Sequence, residues 1–303
     1  MEPTMTEEQI LEGIEFACPG GAEPLLLDLY LPAAEQHPAE GRAAKLFPAI
    51  VHFHGGGWRT GERSSLGPVL DGFGFSPFRR LTDAGFVVVS ADYRLSTAAR
   101  FPAQLEDAKA AVHWLRNHAQ EYGVDPDRIY AWGDSAGGHL ASLVGLTSGN
   151  AAATTAAATT AAATAGTVAA VAAWYAPADL ARMAEQSLPN AVARADDPGS
   201  REELLIGAVL AEAPGKAAAA SPVGHVTPAA PPFLLVHGTA DRFVPPAQST
   251  SLAAALQAAG TDVELLLIED ADHMWVLPDH SQAAAEKAMD ATVDFFLRQA
   301  HVP

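Results

Sequence analysis

Short apolar runs bounded by turn residues recur along the chain: Leu25–Tyr30, Pro48–His54, Phe86–Tyr93, Ile129–Gly133, Val168–Tyr175, Phe233–Gly238 and Val263–Glu269. Their length and their β-branched and aromatic content predict strands. Several later runs, such as Val87-Val88-Val89-Ser90 and Phe233-Leu234-Leu235-Val236, are apolar without alternation, the mark of strands covered by helices on both faces. Between them Pro102–Tyr122, Ala136–Leu146, Pro246–Ala259 and Gln282–Arg298 carry helical spacing, with Gly123 and Gly260 as stops. Alternating strands and helices predict an α/β fold, a mostly parallel sheet flanked by helices. The first two strands are joined by Cys18-Pro-Gly-Gly-Ala-Glu-Pro. That is a hairpin-length link, so the sheet is expected to be mixed, with an antiparallel N-terminal edge.

Two stretches break the alternation. Residues 150–167 are nearly pure Ala, Thr and Gly without an apolar face, which predicts a flexible surface loop. Residues 179–226 are rich in Ala and Pro, helical in places, and interrupt the strand series; they are the expected cap over a site. At 303 residues the whole chain, 1–303, is expected to form one domain with this insert inside it.

Acidic residues number 36 against 18 basic ones, a formal charge of −18, which repels phosphate backbones and anionic membranes. Nucleic acid is therefore not an expected partner. Nor is a membrane, because no uninterrupted apolar run reaches the roughly 18 residues of a spanning helix. The N-terminus is acidic where a secretory signal would be basic and then apolar, so a cytoplasmic location is expected. The single Cys18 excludes an intramolecular disulfide and a cysteine-based metal site. The oligomeric state stays open, a homodimer included.

The chemistry begins at Gly133-Asp134-Ser135-Ala136-Gly137, between the strand run Ile129–Gly133 and a helical run. In that context G-x-S-x-G is a tight strand-to-helix turn that lifts the serine hydroxyl above the sheet edge. A serine needs a base, an acid behind the base, and donors for the oxyanion. Donors are offered by His54-Gly55-Gly56-Gly57-Trp58, which follows a strand; a phosphate loop would want a lysine and Ser/Thr after the glycines, and Trp58-Arg59-Thr60 stands there instead. The acid candidate is Asp241, in His237-Gly238-Thr239-Ala240-Asp241 past a buried strand, on the rim where the elbow lies. A turn aspartate bonded to its own backbone is the competing account, and Asp262, Asp270 and Asp272 are alternatives. For the base, His273 follows the last predicted strand and completes the chain order Ser, Asp, His; His280, at the start of the C-terminal helix, is the competitor. Asp134, beside the serine, is expected to bond locally and shape the elbow.

Together HGGGW, GDSAGGH, HGTAD-x-x-VP and a late histidine resemble the α/β-hydrolase fold, in particular the hormone-sensitive-lipase-like and bacterial feruloyl-esterase-like esterases. The resemblance runs from about Leu25 to Leu297 and takes in Asp92-Tyr93-Arg94-Leu95 and Phe101–Asp107. It implies Ser135 as nucleophile, Asp241 as orienting acid and His273 as base, with Gly56, Gly57 and Ala136 donating to the oxyanion. The implied activity is hydrolysis of small-molecule esters through an acyl-enzyme, without cofactor or metal; short acyl chains are expected because Trp58, Met274 and Trp275 are bulky and residues 179–226 are short for a lipase lid. Trp58, after the oxyanion glycines, and Trp275, beside the base, are expected to wall the substrate pocket. The departure from the family pattern lies at the base, where Asp272, Met274 and Trp275 replace the usual small neighbours. A formamidase acting on an activated amide and a catalytically silent binding protein of the same fold are the rival readings.

Overall fold

The computed structural model describes residues 9–21, 23–33, 46–67, 70–72, 74–147 and 168–301; the Ala/Thr stretch 150–167 falls outside them. Among the described residues eight strands form one sheet: β1 (Gln9–Ala17), β2 (Leu25–Leu31), β3 (Phe47–Phe53), β4 (Val87–Ala91), β5 (Val124–Asp134), β6 (Val171–Trp174), β7 (Phe233–Gly238) and β8 (Val263–Ile268). Their order is β1-β2-β4-β3-β5-β6-β7-β8. β1 with β2 and β2 with β4 are antiparallel, and the pairings from β4–β3 to β7–β8 are parallel. The mixed sheet implied by the short link after Cys18 is thus present.

Seven helices accompany it among the described residues: α1 (Pro77–Asp83), α2 (Ala103–Asn117), α3 (Ala136–Thr147), α4 (Arg201–Ile206), α5 (Pro214–Ala219), α6 (Ala247–Ala258) and α7 (Ala283–His301). Successive strand residues point to opposite faces, and both faces are covered. Ala49, Val51, Val87, Val89 and Ala131 pack under α2, α3 and α6 through Leu115, Leu140, Val144 and Leu256. Ile50, Val88, Tyr130 and Trp132 pack under α1 and α7 through Phe78, Leu81, Met289 and Phe296. This two-sided burial is why the central strands read as continuous apolar runs. Each fully buried Leu or Phe contributes roughly 1.5–3 kcal/mol of transfer free energy.

The structure adds or moves three elements. β1 has no clean alternation because Gly13, at φ +70°, sits at a register shift and gives its N–H to the Asp28 carboxylate at 2.8 Å. α1 is two turns long, too short for a periodic pattern; its start is nonetheless written in Ser76, whose hydroxyl accepts from Arg79 N–H, and in Pro77 at the first position. α2 ends at Asn117, before the expected Tyr122, because His118 Nδ1 donates to the Trp114 carbonyl at 2.8 Å and its ring stacks on Trp114. That closes the last turn early.

The segment 179–226 holds α4 and α5 joined by turns. It buries Leu180, Met183, Leu205, Ile206, Ala217 and Ala220 in the same core cluster as α2 and α3. Gln248 of α6 accepts the N–H groups of Ala178 and Asp179, both at 2.7 Å, and Phe101 N–H donates to Leu205 carbonyl. The segment is therefore anchored beside the carboxyl ends of β6 and β7. Among the described residues no helix is long and apolar enough to cross a membrane.

Candidate active site

β5 ends at Asp134 and α3 begins at Ala136, so Ser135 alone makes the turn. Its φ is +52°, a left-handed conformation that costs a non-glycine residue roughly 1–3 kcal/mol. The surrounding contacts hold it there. Ser135 N–H donates to Trp174 carbonyl at 2.8 Å, and His139 N–H donates to Ser135 carbonyl at 3.0 Å. The flanking glycines are forced by close approach: a Cβ on Gly137 would run into the Phe53 carbonyl, and one on Gly133 into the Gly137 backbone.

The residues chosen as base and acid meet this serine. His273 Nε2 lies 3.1 Å from Ser135 Oγ, and His273 Nδ1 lies 2.7 Å from Asp241 Oδ2. A carboxylate only accepts, so Nδ1 carries the proton and Nε2 is free to accept from the serine hydroxyl. All three side chains are buried. Asp241 also meets the competing account, because its Oδ1 accepts the N–H groups of Phe243 and Val244 at 2.9 and 2.8 Å. One carboxylate both ties its own turn and holds the imidazole. Burial alone would raise the Asp241 carboxyl, but the neighbouring His273 charge and hydrogen bonds from His237 and His273 outweigh it and hold it well below the ordinary carboxylate range.

The other candidates lie elsewhere. Asp272 caps His273 N–H at 2.8 Å and binds Arg242 Nε at 2.6 Å; Asp270 N–H donates to Thr239 Oγ1. His280 is exposed.

The glycine loop after β3 lies beside the elbow. Gly56 has φ +105°, Gly57 +60° and Trp58 +56°, and consecutive left-handed residues turn backbone N–H groups toward one side. The Gly56 carbonyl accepts from Arg59 and Thr60, and Tyr93 hydroxyl donates to the His54 carbonyl at 2.9 Å. Among the described residues the N–H groups of Gly56 and Gly57 donate to no backbone carbonyl. Ala136 N–H belongs to the first turn of α3, where helices leave donors unspent and favour negative charge.

Trp58 and Trp275 depart from expectation. Each is only 1% exposed. Trp58 stands edge-on against buried His139, and Trp275 packs edge-on against Trp174 and Tyr175. The left-handed backbone at both residues turns the indoles inward, so they belong to the core and not to a pocket wall. The residue that does reach a cavity is Met274. A space of about 220 Å³ is lined by Gly55, Gly56, Thr60, Ser65, Asp134 and Met274.

Sequence reading missed several neighbours. The rings of Tyr175 and Phe243 flank that of His273 at 4.6 and 5.4 Å. His237 Nε2 donates to the Val244 carbonyl at 2.9 Å and lies 3.3 Å from Asp241 Oδ2, while its Nδ1 accepts from Ser249. Signals existed: Tyr175 ends a predicted strand on the active rim, and His237 and Phe243 belong to the motif that holds Asp241. Asp134 is buried with Oδ1 3.7 Å from His52 Nε2, and that oxygen makes no hydrogen bond. It thus faces the neighbouring strand and not its own turn.

The chain is similar to known esterases in sequence and fold. The chain matches the BD-FAE family over residues 27–256. It is 33% identical over 246 residues to esterase LipQ of Mycobacterium tuberculosis, covering 80% of this chain and 52% of that protein; the chain thus spans about half the length of this curated relative. A solved truncated carbohydrate esterase from gut microbiota superposes with a TM-score of 0.77 at 27% identity, covering 98% of both chains. Esterase 2 of Thermogutta terrifontis, solved phosphonylated by sarin, gives a TM-score of 0.70 at 27% identity, covering 98% of this chain and 96% of that one. With this match over most of its length, the chain belongs to the BD-FAE family and has the α/β-hydrolase fold.

Proposed function

We propose that the protein is a serine carboxylesterase acting on small esters with short acyl chains. The observation that carries this reading is the continuous relay from Ser135 through His273 to Asp241, at 3.1 and 2.7 Å, beside unspent N–H groups. His273 Nε2 takes the hydroxyl proton as Ser135 Oγ attacks the ester carbonyl. Asp241 stabilises the imidazolium, and the N–H groups of Gly56, Gly57 and Ala136 hold the oxyanion. The imidazolium then gives its proton to the leaving alcohol, and water repeats the cycle on the acyl-enzyme. Residues 179–226 act as the cap over this rim. The small cavity beside Gly56 and Met274 favours short acyl groups. The esterase and organophosphate-adduct descriptions of the relatives support the same reading.

The test is a phosphonate probe with ester turnover. Wild type is expected to be labelled at Ser135, and Ser135→Ala to stay unlabelled with kcat reduced on the order of 10⁴ to 10⁶. His273→Ala loses activity, whereas His280→Ala keeps it. Near-normal turnover by Ser135→Ala, with an unchanged melting temperature, sinks the mechanism.

A further inference from the structure

Most described arginines are paired with a carboxylate or a carbonyl: Arg63 with Asp28, Arg94 with Asp107, Arg128 with Asp125, Arg242 with Asp272 and Arg298 with Glu264. Arg100 and Arg116 bond carbonyls instead; among the described residues Arg59 and Arg201 stand apart, since neither guanidinium bonds a carbonyl or has a carboxylate within 4.0 Å. Arg59 is exposed, as a solvated cation should be. Arg201 is partly buried, and the carboxyl of Glu202 feels its charge together with that of Arg59 without closing an ion pair within 4.0 Å.

Its position explains what it could meet. Arg201 opens α4 in the segment expected to cap the site. Its stem crosses the oxyanion loop so closely that a Cβ on Gly57 would come within 2.6 Å of Arg201 Cδ. Its guanidinium carbon lies 5.6 Å from the centre of the Phe243 ring, and that ring lies 5.4 Å from the ring of His273. The cation therefore bridges the two walls of the site, the oxyanion glycines on one side and the aromatic cover of the base on the other. A cation–π contact replaces part of its hydration but leaves the fork of N–H donors free.

Neighbouring carboxylates leave its N–H fork unbonded, with none within 4.0 Å among the described residues. Glu202, the next residue, is buried, and burial pushes its carboxyl up against the opposing pull of Arg201. Arg242 is saturated by Asp272. A planar guanidinium matches a carboxylate in two parallel hydrogen bonds. We infer that Arg201 receives a carboxylate of the substrate, so that the preferred esters carry an acid group on the acyl or the alcohol portion. This rests on the esterase reading above and narrows its substrate class.

Two pairs of esters test it and separate the two portions. On the acyl side, p-nitrophenyl hemisuccinate is compared with p-nitrophenyl isocaproate, its neutral isostere. On the alcohol side, p-acetoxybenzoate is compared with p-isopropylphenyl acetate. The readout is the ratio of kcat/KM for acid over neutral ester, corrected for spontaneous hydrolysis. In one pair this ratio is expected to fall about tenfold or more in Arg201→Gln, and less in Arg201→Lys, while Arg59→Gln keeps the wild-type ratio. Melting curves establish that each variant is folded. Ratios unchanged in both pairs by either Arg201 variant, or an equal loss on acid and neutral esters, overturn the assignment while leaving the esterase reading standing. Absence of turnover of all four esters by wild type overturns both.

Discussion

Asp241 gives one carboxylate oxygen to its own turn and the other to His273, with Oδ1 bound to two backbone N–H groups and Oδ2 2.7 Å from Nδ1. The two tasks are separable by a single atom. Asp241→Asn keeps the oxygen that ties the turn and presents an NH₂ to His273, which cannot accept the Nδ1 proton. The imidazole is then driven to the tautomer that offers the serine a donor. We expect kcat on p-nitrophenyl acetate to fall about 10⁴-fold, with a melting temperature close to wild type. Activity within tenfold of wild type would show that Asp241 serves only its turn.

How far this was legible follows from the length of the correlations involved. Ser135, Asp241 and His273 could be placed because each follows a strand, and a parallel sheet carries such residues to one rim. The central strands were legible because burial on both faces leaves uninterrupted apolar runs. Trp58 and Trp275 were not: their direction depends on left-handed backbone at those residues, which neighbouring residue types do not announce. Tyr175, Phe243 and Arg201 reach the site only through contacts between distant segments. For Arg201 no local spacing exists to read, whereas the strand end at Tyr175 and the motif around Asp241 place Tyr175 and Phe243 near the rim without giving the direction of their rings.

Stability is expected to fall as the solution is acidified from pH 6.5 toward 4, and His139 sets much of the slope. It is fully buried; burial pushes its pKa from 6.5 down to about 4, against the opposing hydrogen bond to the Ala220 carbonyl. Above pH 6.5 it is neutral in both states and contributes nothing. Between 6.5 and 4 the unfolded chain binds a proton that the folded chain refuses, so unfolding is favoured, by about 3 kcal/mol at the lower end. His52 and His54, also lowered by burial, act in the same sense. Urea midpoints from pH 7 to 4.5 measure this, and His139→Gln, which still donates to Ala220 but does not titrate, should flatten the curve. A variant with the wild-type slope would show that the imidazole is hydrated or already charged.

On the proposed esterase reading, the cavity beside the glycine loop and Met274 receives the acyl chain. At about 220 Å³ it is smaller than the roughly 300–1,000 Å³ of common ligand sites. Each buried CH₂ gains about 0.8 kcal/mol only while room remains. On p-nitrophenyl esters kcat/KM is therefore expected to peak between acetyl and hexanoyl and to drop at decanoyl. Met274 lines this cavity while Trp275 lies in the core against Trp174 and Tyr175, so adjacent substitutions should act oppositely. Met274→Ala opens the wall and moves the optimum to longer chains with a modest loss of stability. Trp275→Ala leaves the optimum in place and costs roughly 3–5 kcal/mol, as large-to-small changes at buried aromatics do. A maximum at palmitoyl, or an optimum that shifts with Trp275 and not with Met274, would place the acyl chain elsewhere on the rim.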